Sequence, residues 1–276
     1  MSGKDGYFDE PVAARYDESD PEMFSPERVD PVVDLLAELA GGGRALELAI
    51  GTGRIAVPLA QRGVPVHGIE LSNAMAKRLR DKPGAEEIGV TIGDFTSAQA
   101  DGTFTVAYLV FNTIQNVLTQ AEQVATFRNA AAHLEPGGCF VVEVMVPDLQ
   151  RLPPGETSRP FDLSADHVGL DEYDVANQGL RSHHFSLVDG TWRYLAVPFR
   201  YVWPSELDLM AELAGMPCAT AGPTGTASPS RARAVSTSRS GRSRDRLGAD
   251  GSRGKAGADR ARARPTRARL VRAQRA

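Results

Sequence analysis

The stretch "ALELAIGTGRIAVPLA", from Ala45 to Ala60, constrains the fold more than any other part of the chain. A short apolar run, two glycines one residue apart and a second apolar run with helical spacing read as a buried strand, a tight turn and a helix. Glycine lets such a turn take left-handed backbone and lets a ligand approach the main chain. The helix expected over Gly53 to Gln61 would offer N–H groups at its start. A strand feeding a helix in this way belongs to a parallel sheet covered on both faces.

The alternation continues along the chain. "SPERVDPVVDLLAELAGGG" is an amphipathic helix with Pro26 in its first turn and Gly41 at its end. "VPVHGIE", "IGVTIGD", "FTVAYLVF" and "CFVVEVMV" read as further strands. Ser72 is placed to cap the helix "NAMAKRLRDK", and Thr119 with Glu122 has capping-box spacing. The expected architecture is α/β: a Rossmann-like, doubly wound, mostly parallel sheet. After the fifth strand the rhythm breaks. Residues from about Pro147 to Leu180 read as irregular, and "RSHHFSLVDGTWRYLAVPFRYVW" reads as an inserted antiparallel hairpin turning at Asp189-Gly190. The expected insertion spans about 147–203, within a domain of residues 1–219. "SELDLMAELAG" is one more helix, stopped by Gly215.

Charge divides the chain. From Arg231 to the end there are 15 Lys and Arg against 3 Asp and Glu, leaving 16 basic and 32 acidic residues before it. An acidic body argues against nucleic acid as a partner of the folded part. Two cysteines, Cys139 and Cys218, make no disulfide framework or zinc site, which suits the cytoplasm. The N-terminus has no apolar core of a signal peptide, and no run approaches the roughly 20 apolar residues that span a bilayer.

The glycine turn alone leaves two cofactor classes open. Gly51, Gly53 and Ala56 satisfy the loose dinucleotide pattern, so an NAD(P)-dependent oxidoreductase is one reading. Glu70 ends the second strand 17 residues after Gly53, where a carboxylate can accept from both hydroxyls of a ribose. Glu47 lies inside the first strand, where a dinucleotide-binding strand is usually apolar, and suits a cationic ligand. "GDF" after the third strand offers Asp94 to an adenine amino group and Phe95 to its ring face.

In this order "LELAIGTGR", "GIELSNAM", "GDF" and "LEPGG" resemble the class I S-adenosylmethionine-dependent methyltransferases, over roughly Tyr7 to Met216. The resemblance implies S-adenosylmethionine as cofactor, with Glu47, Gly51 and Gly53 around its methionine end, Glu70 on the ribose, and Asp94 and Phe95 on the adenine. It brings Ala49, Thr52, Arg54, Leu71, Met75 and Phe111 into the same cofactor shell, and no metal.

For the acceptor, "VFNTIQN" lacks the prolines of enzymes that methylate base amino groups, and the Pro217-Cys218 pair lies far downstream of a cytosine-methylating nucleophile. "YLVFNTIQNV", the N-terminal "YDES" and the long segment after the fifth strand are similar to small-molecule methyltransferases, loosely to amino-sugar N-methyltransferases of secondary metabolism. The resemblance implies methyl transfer to N or O of a small polar acceptor, contacted by Asn112, Gln115 and Asn116. Helix-capping amides are the other reading of these three. His183 and His184 are adjacent on a strand and face opposite ways, so one of them can meet the acceptor as a base; ordinary structural histidines are the alternative. Tyr16, the third catalytic candidate, is expected to close over the cofactor; an aromatic helix cap is its other reading. A homodimer through the aromatic hairpin and a non-catalytic cofactor-binding regulator also stay open.

From about Thr220 the text becomes Ala, Arg, Ser, Gly and Pro. Such composition cannot bury enough apolar surface to offset chain entropy, so residues 220–276 are expected to be a disordered basic tail. A coding frame slipped near Met216 would produce the same text. Either way, the fifth strand is expected to be left as an exposed apolar edge.

Overall fold

The computed structural model describes residues 8–216 and 268–274. Five short apolar segments, β1 (Ala45–Leu48), β2 (Val66–Glu70), β3 (Gly89–Ile92), β4 (Phe104–Leu109) and β5 (Leu134–Met145), form a parallel sheet in the order β5-β4-β1-β2-β3. Alternation along a strand sends successive side chains to opposite faces. Leu46 and Leu48 therefore join one core cluster with Phe127 and Phe140, while Ala45 joins a second with Val33, Leu36 and Leu59. Helices α3 (Pro26–Ala40), α4 (Ala56–Gln61), α5 (Asn73–Arg80) and α6 (Gln120–His133) join the strands.

Several local expectations hold. Gly41 ends α3 in the left-handed region at φ 56°, Ser72 Oγ accepts from the Met75 N–H at 3.1 Å, and Thr119 Oγ1 accepts from the Glu122 N–H at 3.2 Å. The helix expected from Gly53 begins instead at Ala56, because Gly53 keeps φ +81° and its N–H returns to the Ile50 carbonyl at 3.0 Å.

Chain order reverses between β1 and β4. The crevice outside the carboxyl ends of these neighbours is where an open α/β sheet accepts a ligand.

The free edge expected at β5 is corrected. β10 (Ala268–Gln274) pairs antiparallel along it, from Ala268 opposite Met145 to Gln274 opposite Cys139. Its apolar content is only "ALVA" scattered among arginines, too little for strand periodicity to register. The remainder of the expected tail, 220–267 and 275–276, and the frame slip itself lie outside the described residues.

The irregular segment and lone hairpin are corrected to a second, four-stranded antiparallel sheet. It is built of β6 (Ser158–Leu163), β7 (His167–Asp174), β8 (Gly179–Val188) and β9 (Thr191–Arg200) in sequence order. Asp, Gly and His occupy ladder positions in β6 and β7, which breaks the apolar alternation that marks a strand. The Asp189-Gly190 turn stands as expected, with both residues at positive φ, 50° and 74°.

Buried Arg200, at the end of β9, fastens this sheet to the body. Its guanidinium bonds Gln123 of α6 and, at 2.7 Å, Glu206 of α7 (Pro204–Leu213). Gln178 adds a 2.7 Å bond to the same glutamate.

Candidate functional site

The loop after β1 takes left-handed backbone at alternate residues: Ala49 at φ 57°, Gly51 at 58° and Gly53 at 81°. Only the last is forced by packing. A Cβ on Gly53 would come within 2.3 Å of the Leu79 side chain, whereas at Gly51 the nearest atom is the Met75 methyl at 3.5 Å. A side chain at Gly53 would press on Leu79 of α5, whereas at Gly51 it would meet Met75 at ordinary van der Waals distance, so at Gly51 the left-handed backbone rather than packing calls for glycine.

Two carboxylates flank it. Glu70, 6% exposed, accepts the Gly51 N–H and the Ser72 N–H, each at 2.8 Å, so its orientation is fixed against the loop. Glu47, 4% exposed, accepts from the Tyr108 hydroxyl at 2.9 Å. Burial pushes the Glu47 carboxyl up to about 8; the Tyr108 hydrogen bond and the Arg54 guanidinium pull it down, and Glu70 pushes it further up. Arg54 donates to the Met23 carbonyl at 3.2 Å and lies 4.6 Å from the centroid of the Phe111 ring.

The N-terminal segment covers this loop. Thr52, buried, donates through Oγ1 to Asp17 at 2.6 Å, and Asp17 also pairs with Lys82. Ser72 donates to the Phe8 carbonyl at 2.5 Å. Tyr16 opens α2 (Tyr16–Ser19), following α1 (Glu10–Ala13), and packs edge-on against Phe8 and Phe24 beside Ala74 and Met75. Its hydroxyl is pushed up by burial, with Arg54 opposing.

Other expected residues divide by environment. Leu71 is exposed at 46%, while Met75 is buried. Asp94 is exposed and accepts the Thr96 N–H at 2.8 Å; Phe95 is half-buried and packs partly into the main core. Phe111 and Asn112 both stand at φ 59° after β4, and the Phe111 N–H is held by Glu143 Oε2 at 2.7 Å. Gln115 is buried and donates to the Met145 carbonyl at 2.8 Å, so its amide is engaged within the protein. Asn116 is exposed, and Asn112 Oδ1 is buried with no hydrogen-bond partner among the described residues.

His183 and His184 face opposite ways, as strand geometry requires, and belong to a separate group on the second sheet. His183 meets the Tyr194 hydroxyl at 2.7 Å and Glu172 at 3.2 Å. His184 lies 3.1 Å from His167 and 3.2 Å from Ser182 Oγ, and His167 in turn lies 2.7 Å from Asp162. Burial, then His167, lowers the His184 pKa.

Sequence reasoning missed Asp17, Tyr108 and Glu143. Glu143 was visible as a carboxylate near the end of an apolar strand, the same signal that exposed Glu47 and Glu70. Among the described residues, no group of three or more His, Cys, Asp or Glu is placed to hold a metal, and no helix is long and apolar enough to cross a membrane.

Comparison with known proteins agrees with this geometry. Residues 45–138 match the family model described as "Methyltransferase domain". The cypemycin N-terminal methyltransferase of a Streptomyces species is 27% identical over 216 residues, covering 72% of this chain and 88% of that protein. The CcbJ methyltransferase from Streptomyces caelestis is 37% identical, with a TM-score of 0.61 over 68% of this chain and 78% of that one. S-adenosylmethionine-bound CalS10, an amino pentose methyltransferase from Micromonospora echinaspora, shares the fold at 18% identity, with a TM-score of 0.59 over 90% and 89% of the two chains. With a relative above 30% identity spanned over most of its length, and with the glycine loop flanked by Glu47 and Glu70, the chain belongs to the class I S-adenosylmethionine-dependent methyltransferases.

Proposed function

We propose that this protein transfers the methyl group of S-adenosylmethionine to a nitrogen or oxygen of a small polar molecule by in-line displacement. The observation that carries the reading is the charge arrangement at the glycine loop. Glu47 and Glu70 lie on either side of it, with Arg54 as the nearby cation. This set of charges suits a ligand that carries a sulfonium, an ammonium and a carboxylate.

Bound S-adenosylmethionine supplies an electrophilic methyl on a sulfonium that is already a good leaving group. The chain's own residues then have to bind, align and exclude water. Glu47, with Ala49, Gly51, Thr52 and Gly53, surrounds the amino-acid end, where Arg54 takes its carboxylate. Glu70 takes the ribose hydroxyls beside Leu71 and Met75. Asp94 and Phe95 take the adenine. Tyr16 roofs the loop from the N-terminal segment, and Phe111 walls it from β4. Asn112 and Asn116 contact the acceptor, and Gln115 holds their loop against β5. His184 and His183, on the second sheet, are the candidate proton acceptors.

Nitrogen is favoured because one relative is described as the cypemycin N-terminal methyltransferase and CalS10 as an amino pentose methyltransferase. Two cysteines in the whole chain, too few for a disulfide framework, suit a cytoplasmic setting. Exposed Phe185, Leu187, Trp192 and Tyr194 on β8 and β9 favour a homodimer through that sheet.

Calorimetry with S-adenosylmethionine, followed by a labelled-methyl assay against amino sugars, small amines, peptide N-termini and phenols, tests the reading. Binding with turnover of one class is expected. Binding without S-adenosylhomocysteine from any acceptor would favour the regulator instead, and no binding at all would defeat both.

A further inference from the structure

α6 carries a run of buried polar side chains on its inner side: Gln123, Thr126, Asn129 and His133. Buried polar groups persist when their partners satisfy them, and these partners are specific. Asn129 Nδ2 donates to the Phe95 carbonyl and to the Ala98 carbonyl, each at 2.9 Å, and its Oδ1 accepts from Gln99 at 2.6 Å. One turn later, His133 Nε2 accepts the Ala100 N–H at 2.9 Å. Its Nδ1 lies 2.8 Å from the Asn129 carbonyl, which requires the Nδ1–H tautomer and a neutral ring.

Two side chains thus fasten the loop 95–100 at four points. The same loop begins with Asp94, whose carbonyl takes the Ser97 and Ala98 N–H groups at 3.0 and 2.7 Å, closing a tight turn. The Asp94 carboxylate is exposed and is held by one contact within its own turn, Thr96 N–H. Its position is therefore set by the loop, and the loop's position is set by α6.

We propose that Asn129, supported by His133, is a positioning residue for base recognition: it fixes the register at which Asp94 and Phe95 meet the adenine ring. The inference rests on the reading that S-adenosylmethionine places its adenine at Asp94 and Phe95. It adds that discrimination for the 6-amino group is imposed from a helix that does not touch the ligand.

The test compares S-adenosylhomocysteine with S-inosylhomocysteine, which carries a 6-oxo group in place of the amine. Wild type is expected to prefer the adenine compound by about tenfold or more. Asn129→Ala should weaken S-adenosylhomocysteine about tenfold and leave S-inosylhomocysteine within about twofold, so that the preference collapses. The KM for S-adenosylmethionine should rise with kcat near its wild-type value. Gln99→Ala, at an exposed position, should move the ratio part of the way without threatening the fold. Equal weakening of both ligands in Asn129→Ala, or an unchanged ratio in both variants, would overturn the proposal. A wild-type protein that binds S-adenosylhomocysteine but whose ratio is unmoved by Asp94→Ala would instead overturn the adenine placement, and this inference with it.

Discussion

In the six-stranded sheet, β1 and β4 lie between neighbours on both sides, and every residue of β1 is buried. In the four-stranded sheet, β9 is an edge, and its first five residues are all exposed. The first sheet is held by apolar burial on two faces. The second is held by its ladder, a few half-buried polar contacts and the Arg200 fastening. A cofactor common to many acceptors needs a rigid platform, and the central strands of the first sheet, with β1 buried throughout, supply one. In the proposed reading the acceptor meets the sheet with less buried area, the usual place for variation.

The largest expected effect separates these two economies directly. Phe127 is fully buried and packs edge-on against Phe140 at a centroid distance of 5.1 Å. Phe127→Ala should cost about 3–5 kcal/mol in urea unfolding. Trp192→Ala, at a residue 51% exposed on β9, should change the same measurement by no more than about 0.5 kcal/mol. Comparable losses would mean that the second sheet is covered in solution, as a homodimer would cover it.

A second way to sharpen the contrast uses Glu47, a titratable group inside the rigid sheet. Its carboxyl lies at about 8 in the folded protein and near 4.5 when exposed. The folded state therefore binds the extra proton. Stability from this site is fully present below the unfolded value and is lost as pH rises from there through about 8. Glu47→Gln should consequently be more stable than wild type at pH 9, by a few kcal/mol at most, with the gap closing towards pH 5. The ligand should respond in the opposite sense. S-adenosylmethionine should bind more tightly as pH rises towards 8, with proton release below it, and Glu47→Gln should lose that dependence. Calorimetry in buffers of different ionisation enthalpy reads the released proton; an affinity flat from pH 6 to 9 would remove Glu47 from the cationic end of the ligand.

How much was legible in the sequence follows the same division. Glu47, Gly51, Gly53 and Glu70 could be picked out because a parallel strand, its turn, the next helix and the next strand are contiguous, so local pattern puts them near one rim, while the roles expected of them and of Asp94 came from the family resemblance. The His184–His167 contact could not, because it joins residues on different strands whose register depends on hydrogen bonding that no local pattern encodes. Asn129 and His133 were equally hidden: polar residues on a helix read as its solvent face until the loop they bind is in place. Gly53 shows the limit from the other direction. It was singled out for a ligand, and the approach of Leu79 and the positive φ also call for glycine there.

That distinction gives a smaller, cleaner comparison between two glycines with nearly the same backbone. Gly53 at φ +81° faces Leu79 at 2.3 Å, while Gly190 at φ +74° has nothing within 4 Å. Alanine at Gly190 should cost only the left-handed penalty, about 1–2 kcal/mol. Alanine at Gly53 should cost that plus an overpacking term of about 1–3 kcal/mol. Equal costs would show that α5 shifts to make room and that the loop is less rigid than its neighbours suggest.

The smallest effect belongs to the polar group of the second sheet. Two imidazoles in N···N contact can share one proton between them, so the 3.1 Å approach of His167 and His184 cannot survive with both rings fully protonated. Asp162 of β6 stands on the far side of His167 at 2.7 Å; Asp171 of β7 favours the charged form of His184, while His183 of β8 opposes it. Burial and His167 outweigh Asp171 and lower the His184 pKa. Stability from His184 is therefore present above the ordinary histidine value and is lost as pH falls through its lowered one. Thermal unfolding at pH 7 and pH 5 should show a slightly steeper acid loss for wild type than for His184→Gln, which can hydrogen-bond but cannot charge. The difference should be small, because the site is half-exposed and screened. If wild type and variant lose stability in parallel, the second sheet holds its histidines apart in solution, and the base for methyl transfer has to be sought at Tyr16 or on the loop after β4.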